Sequence, residues 1–173
     1  MPAPVTCPSS APGWIVAAPG WIQAAGALLA LFVTVYVVNL QASYARRQLN
    51  ETTATRLRSL ARLISHMAEA CERAHAIRAG NPKGLDVDGL NLNLNQFNWA
   101  ASELNKFNFV DAPSDLVFTA FTQYRDLCGP LSDGVHPNAP TTPEGLAVFS
   151  NQIASLRAVE TTLRAEATRL SSQ

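Results

Sequence analysis

Apolar positions along this chain fall into two regimes. From Trp21 to Leu40 they are continuous: twenty residues, WIQAAGALLALFVTVYVVNL, carry no charge and only Gln23, Thr34 and Asn39 as sizeable polar side chains. At about 1.5 Å rise per residue this stretch spans ~30 Å as a helix, the thickness of a bilayer's hydrocarbon core. A helix apolar on every side is not one face of a soluble helix. The pattern predicts a single transmembrane helix.

From Leu57 onward the apolar positions become periodic. Leu57, Leu60, Ile64, Met67, Cys71 and Ala74 follow alternating spacings of three and four, a heptad stripe widened by Ala61, Leu63, Ala68, Ala70 and Ile77. No proline interrupts Trp21 to Ala79, so the span is free to run on as one helix of about 88 Å. Gly80, Asn81 and Pro82 are expected to stop it.

Three further helices are predicted. After a loop over 80–89, the stretch NLNLNQFNWAASELNKFNFV begins with strand-like alternation. Leu94, Phe97, Ala101 and Leu104 nevertheless recur at helical spacing, giving a helix from about Asn93 to Phe107. Asp111, Pro113 and Ser114 make a turn and helix start. Leu116, Ala120, Phe121, Tyr124 and Cys128 form the next face, expected to close at Gly129 and Pro130, with a loop over 129–142. Thr142 as N-cap, Pro143 at the first helical position and Glu144 open the last helix. Its stripe runs Leu146, Phe149, Ile153, Leu156, Glu160, Leu163, Ala167 and Leu170. Glu160 breaks the seam. It is expected to pair with Arg164 or with an arginine on a neighbouring helix, while Val159 takes the core position. The fold class is therefore all-α. A transmembrane helix continues into an antiparallel helical bundle, in which the long first and last helices pair as a coiled-coil-like arm and the shorter helices pack at its membrane-distal end.

Charge then orients the chain. Its 173 residues balance to a net charge of zero, but unevenly. Met1 to Ala45 has no charged side chain; Arg46 to Arg62 holds five arginines against Glu51; Lys83 to Asp133 holds seven acids against Lys83, Lys106 and Arg125. Basic residues directly after the span place the C-terminal side in the cytoplasm. Trp14 and Trp21 sit at the outer interface, and Tyr36, Tyr44, Arg46 and Arg47 at the inner one. Residues 1–18, rich in proline, read as a disordered extracytoplasmic tail, 19–44 as the membrane helix and 45–173 as a cytoplasmic helical domain. A cleaved signal peptide would begin with positive charge and carry a shorter apolar run.

Candidate chemistry is sparse. There is no phosphate-binding glycine loop, no HExxH and no GxSxG. Cys71 and His75 are four apart and share a helix face, but half a zinc site is not a site. Asp86 and Asp88 in DVDG suit turn chemistry better than a calcium loop. Three widely spaced cysteines build no disulfide framework. No catalytic, metal-binding or cofactor-binding residue is expected, and no nucleic-acid partner. Three features remain. Arg46, Arg47, Arg56, Arg58 and Arg62 suit either anionic lipid or a solvated face; the second is favoured for the last three. Seven of the thirteen aromatics, Phe97, Trp99, Phe107, Phe109, Phe118, Phe121 and Tyr124, crowd into 28 residues; most suit a core, and Trp99, opposite Phe97, suits an exposed partner anchor. Within the span, Gly26 and Ala30 form a small-xxx-small pair suited to close helix contact.

The run PGWIQAAGALLALFVTVYVV followed by YARRQ resembles the N-terminal anchor of uncharacterised small bacterial single-span inner-membrane proteins, over about residues 19–48. The resemblance implies a single-pass bacterial inner-membrane protein with a cytoplasmic body, and no activity. The expected function is a membrane-tethered helical interaction or scaffold module, not an enzyme. Its expected partners are the lipid bilayer, a second copy through the span, and an unidentified protein. A holin-like membrane-active oligomer and an enzyme with an unrecognised site are the alternatives; the span offers no water-lined face for the first.

Overall fold

The computed structural model describes the backbone of residues 13–80, 86–107, 112–139 and 141–172, and side chains from Trp21 onward. All regular structure among the described residues is helical: α1 (Gly13–Gly80), α2 (Val87–Asn105), α3 (Asp115–Val135) and α4 (Pro143–Ser171). The all-α class and the long apolar N-terminal helix are thus present. The chain divides into two units, Met1–Arg47 and Gln48–Gln173.

Helix ends follow local chemistry, with three departures from the sequence reading. The tail was expected to reach residue 18, whereas α1 already starts at Gly13. It ends at Gly80, the first of its expected stop residues. The second departure is α2, which starts at Val87 rather than near Asn93. Asp86 is its N-cap, its carboxylate accepting from the Gly89 N–H at 2.9 Å. The alternation of NLNLN yields to a helical face, on which Leu90, Asn93, Phe97, Ala100 and Leu104 are buried. Ser114 caps α3 and Thr142 caps α4, with Pro143 in the first turn, as expected.

The third departure is the end of α3. The helix does not close at Gly129 and Pro130 but carries Pro130 inside it and runs to Val135. Proline removes one intrahelical hydrogen bond and crowds the carbonyl four residues back. Burial outweighs that cost: Leu131 and Val135, one and five residues on, are both fully buried.

The Gln48–Gln173 unit has one core. Leu57, Leu60, Ile64, Met67, Cys71 and Ala74 of α1 lie in it together with Phe97 and Leu104 of α2, Val117 and Tyr124 of α3, and Leu156 and Leu163 of α4. The α1 stripe read from the sequence is therefore a core stripe. Polar contacts tie the helices in a consistent order. Glu72 of α1 accepts twice from Arg157 of α4, both at 2.9 Å, and His75 faces Phe149 with ring centroids 6.1 Å apart. Arg73 donates to Asn93 at 3.1 Å and to Gln96 at 2.5 Å, both on α2. Arg78 donates to the Gly134 and His136 carbonyls at the end of α3. Gly134 in turn lies against the Phe149 ring of α4, so close that a Cβ there would overlap it.

Candidate functional site

The apolar stretch of α1 comes first. Trp21 through Leu49 is exposed at every position, including Trp21 at 78%, Phe32, Tyr36 and Tyr44, and the apolar stretch is long enough to cross a membrane. Only from Ala54 does the same helix begin to bury side chains. Thr34 donates its hydroxyl to the Ala30 carbonyl at 2.7 Å, so this polar group is satisfied within its own helix. A Cβ at Gly26 would meet nothing within 4 Å, and Ala30 is exposed on the next turn. Arg46 and Arg47 are exposed two and three residues beyond Tyr44. The Trp14 side chain lies outside the described residues.

The other candidates disperse. Trp99 is 57% exposed on α2, seven residues after the equally exposed Leu92. Phe97, Phe121 and Tyr124 are buried, Phe107 half-buried and Phe118 exposed, while Phe109 lies outside the described residues. Cys71 is buried beside the core, and its thiol is pushed up to about 12, chiefly by burial, then by the charges of Glu72 and Cys128. Burial likewise raises the Tyr124 phenol, whose oxygen lies 3.7 Å from Cys128 Sγ. A nucleophile needs the opposite shift. His75 is half-buried against Phe149, and among the described residues no three His, Cys, Asp or Glu side chains converge. Asp86 is a helix cap.

The structure holds buried ions, of which the sequence reading named only Glu160 and its pairing with Arg164. Glu160, its side chain 10% exposed, pairs on its own helix with Arg157 at 2.8 Å and Arg164 at 2.7 Å. Burial works to raise its carboxyl, but hydrogen bonds from both arginines prevail and hold it low. Arg157 thus joins Glu160 to Glu72 across α1 and α4, and its own value rises, first through the bonds it donates to Glu72. Glu166, also buried, is held low mainly by Arg169 at 2.7 Å, then by the Ser114 hydroxyl. Arg78 is 2% exposed. Its outer nitrogens donate to the Gly134 and His136 carbonyls, at the negative end of the α3 dipole; its Nε has no partner among the described residues. Burial lowers its value. A signal existed: Arg78 falls four residues after Ala74, on the next position of the α1 stripe. These groups brace helices.

No protein-family model, curated protein or solved structure matches the chain.

Proposed function

We propose that this protein is a membrane-tethered, non-catalytic helical interaction module, held by Trp21–Leu40 in a bacterial inner membrane with residues 45–173 in the cytoplasm. One observation carries the reading. Within α1, large apolar side chains from Trp21 to Leu40 are exposed, whereas the stripe from Ala54 to Ala74 is buried in the protein's own core. The first set needs an apolar solvent and the second does not. Orientation rests on Arg46 and Arg47 directly after the span and on the uncharged chain before it.

The body is read as an up-and-down bundle. Residues 72 and 75 of α1 face 157 and 149 of α4, so the two numberings run in opposite senses. Residues 57 and 60 of α1 line one cavity with 117 and 121 of α3, and Arg78 meets residues 134 and 136, so that pair runs in the same sense. The alternation supports antiparallel neighbours and a long α1–α4 arm.

Reporter fusions test the topology. Fused after Gln173, a fluorescent protein that matures only in the cytoplasm should be bright and alkaline phosphatase inactive; an active phosphatase there overturns the orientation. Self-association is assigned to the span. Gly26→Ile should abolish most full-length crosslinking while leaving insertion intact, because beyond the local helix backbone a Cβ there meets nothing within 4 Å. Unchanged crosslinking would move the contact into the body.

A further inference from the structure

We infer that the Gln48–Gln173 unit binds a single-chain anionic amphiphile of the fatty-acid class, in a cavity bordered by α1, the end of α2 and the start of α3. The inference rests on the membrane-tethered reading for the ligand's source. The cavity measures about 340 Å³. That is the low end of ligand pockets, roughly 300–1,000 Å³, and suits a stretch of one acyl chain rather than a two-chain lipid. Its floor is apolar: Leu57 and Leu60 of α1, Phe107 after α2, and Val117 of α3 line it. Leu57, Leu60 and Val117 are core residues, at most 3% exposed, so the cavity ends on the protein's own packed core and its open apolar wall is the half-buried Phe107 and Ala112.

Charge at the rim selects the head group. Arg56 and Lys106 both line the cavity, as does Glu103. Lys106 Nζ sits 2.5 Å from the Glu103 carboxylate, so these two neutralise each other. Arg56 is exposed and has no ion-pair partner among the described residues. Two cations against one carboxylate leave a net positive rim over an apolar floor. A cationic amphiphile would meet like charge, and an uncharged one would leave Arg56 unused. A carboxylate at the end of one chain satisfies both ends of the cavity. Thr53, also on the rim, offers a hydroxyl to the same head.

The test uses the full chain in nanodiscs of zwitterionic phosphatidylcholine, with palmitic acid carrying a mid-chain photoreactive diazirine. After irradiation, labelled peptides are mapped by mass spectrometry. Label is expected on the peptides holding Leu57–Leu60 and Phe107–Val117 as well as on the span. Unlabelled palmitate should displace the cavity label, whereas methyl palmitate should compete about tenfold less well, the loss expected of one charge-assisted hydrogen bond. Arg56→Glu should lower the cavity label by about the same factor. Ala112→Trp, which fills the space from a half-buried wall position, should remove it. Circular dichroism identifies any variant that has lost its helices, and Lys106→Glu, at an exposed site, then replaces it. Cavity label absent from the wild type, or equal for acid and ester, overturns the inference, as does label that resists both substitutions. Phosphatidylglycerol competing as well as palmitate overturns the single-chain assignment. Loss of the span label alone sinks the tethering and leaves the cavity assignment standing.

Discussion

Pro130→Ala should stabilise the protein, although the substituted side chain lies on the surface. Pro130 is exposed and lies inside α3, which continues to Val135. In a helix interior proline is about 3 kcal/mol less favourable than alanine, through the missing N–H and the crowded carbonyl of Asp126. Against this, proline stiffens the unfolded chain, and replacing it returns roughly 0.4–1 kcal/mol of entropy to that state. The net expectation is a gain of about 2 kcal/mol. The wild type tolerates the proline because ending the helix there would expose Leu131 and Val135, each fully buried and each contributing roughly 1.5–3 kcal/mol. It would also strip Arg78 of its two carbonyl acceptors. The assay is thermal unfolding of the full chain in a mild nonionic detergent, followed at 222 nm. A rise of roughly 6–10 °C is expected for Pro130→Ala, with a fall for Leu131→Ala. If Pro130→Ala leaves the midpoint unchanged or lowers it, and Leu131→Ala is silent, the chain beyond Gly129 is not a packed helix and the account of α3 is wrong.

Acid should loosen the helical body. Glu160 and Glu166 are held below the ordinary carboxylate value of 4.5, so the folded state binds their protons less readily than the unfolded state. Their contribution is complete above that value and is lost as pH falls through the lower folded values. Glu160→Gln should flatten the acid limb of a stability-versus-pH curve, and an unaltered limb would contradict the assignment. Cys71 should resist maleimide in the native protein, since moving a thiol from 9.0 to about 12 cuts its thiolate roughly a thousandfold and the side chain is buried. Denaturant should restore labelling. Rapid native labelling at Cys71, mapped by mass spectrometry, would show that the core opens there.

Much of the helical order was legible because its signals are local. Twenty uncharged residues make an apolar helix whatever surrounds them, and the Leu57–Ala74 spacing already specifies one buried face. Thr142-Pro143 announces α4 by cap chemistry alone. Other features depend on partners distant in sequence. Pro130 reads as a stop until Leu131, Val135 and Arg78 are seen holding the turn beyond it. NLNLN alternates like a strand, and only the burial of Leu90, Asn93 and Phe97 decides for the helix. Asn93 shows why a polar residue belongs on that face: its amide donates to Gly89 and its carbonyl accepts from Arg73 of α1. Glu160 was visible as a gap in a seam, but its two-sided pairing and the reach of Arg157 to Glu72 required coordinates. The cavity beside Arg56 was not legible, since its walls come from three helices.

Alkaline carbonate extraction of membranes tests the central claim most directly. The account predicts that the wild-type chain stays in the membrane pellet, held by Trp21–Leu40. A chain carrying Leu31→Asp and Val35→Asp, both exposed on the apolar stretch, should move to the soluble fraction with its helices intact. Two carboxylates near the helix centre cost roughly 5–7 kcal/mol of insertion. Release of the wild type into the supernatant, or retention of the double variant in the pellet, would contradict a transmembrane anchor at this position.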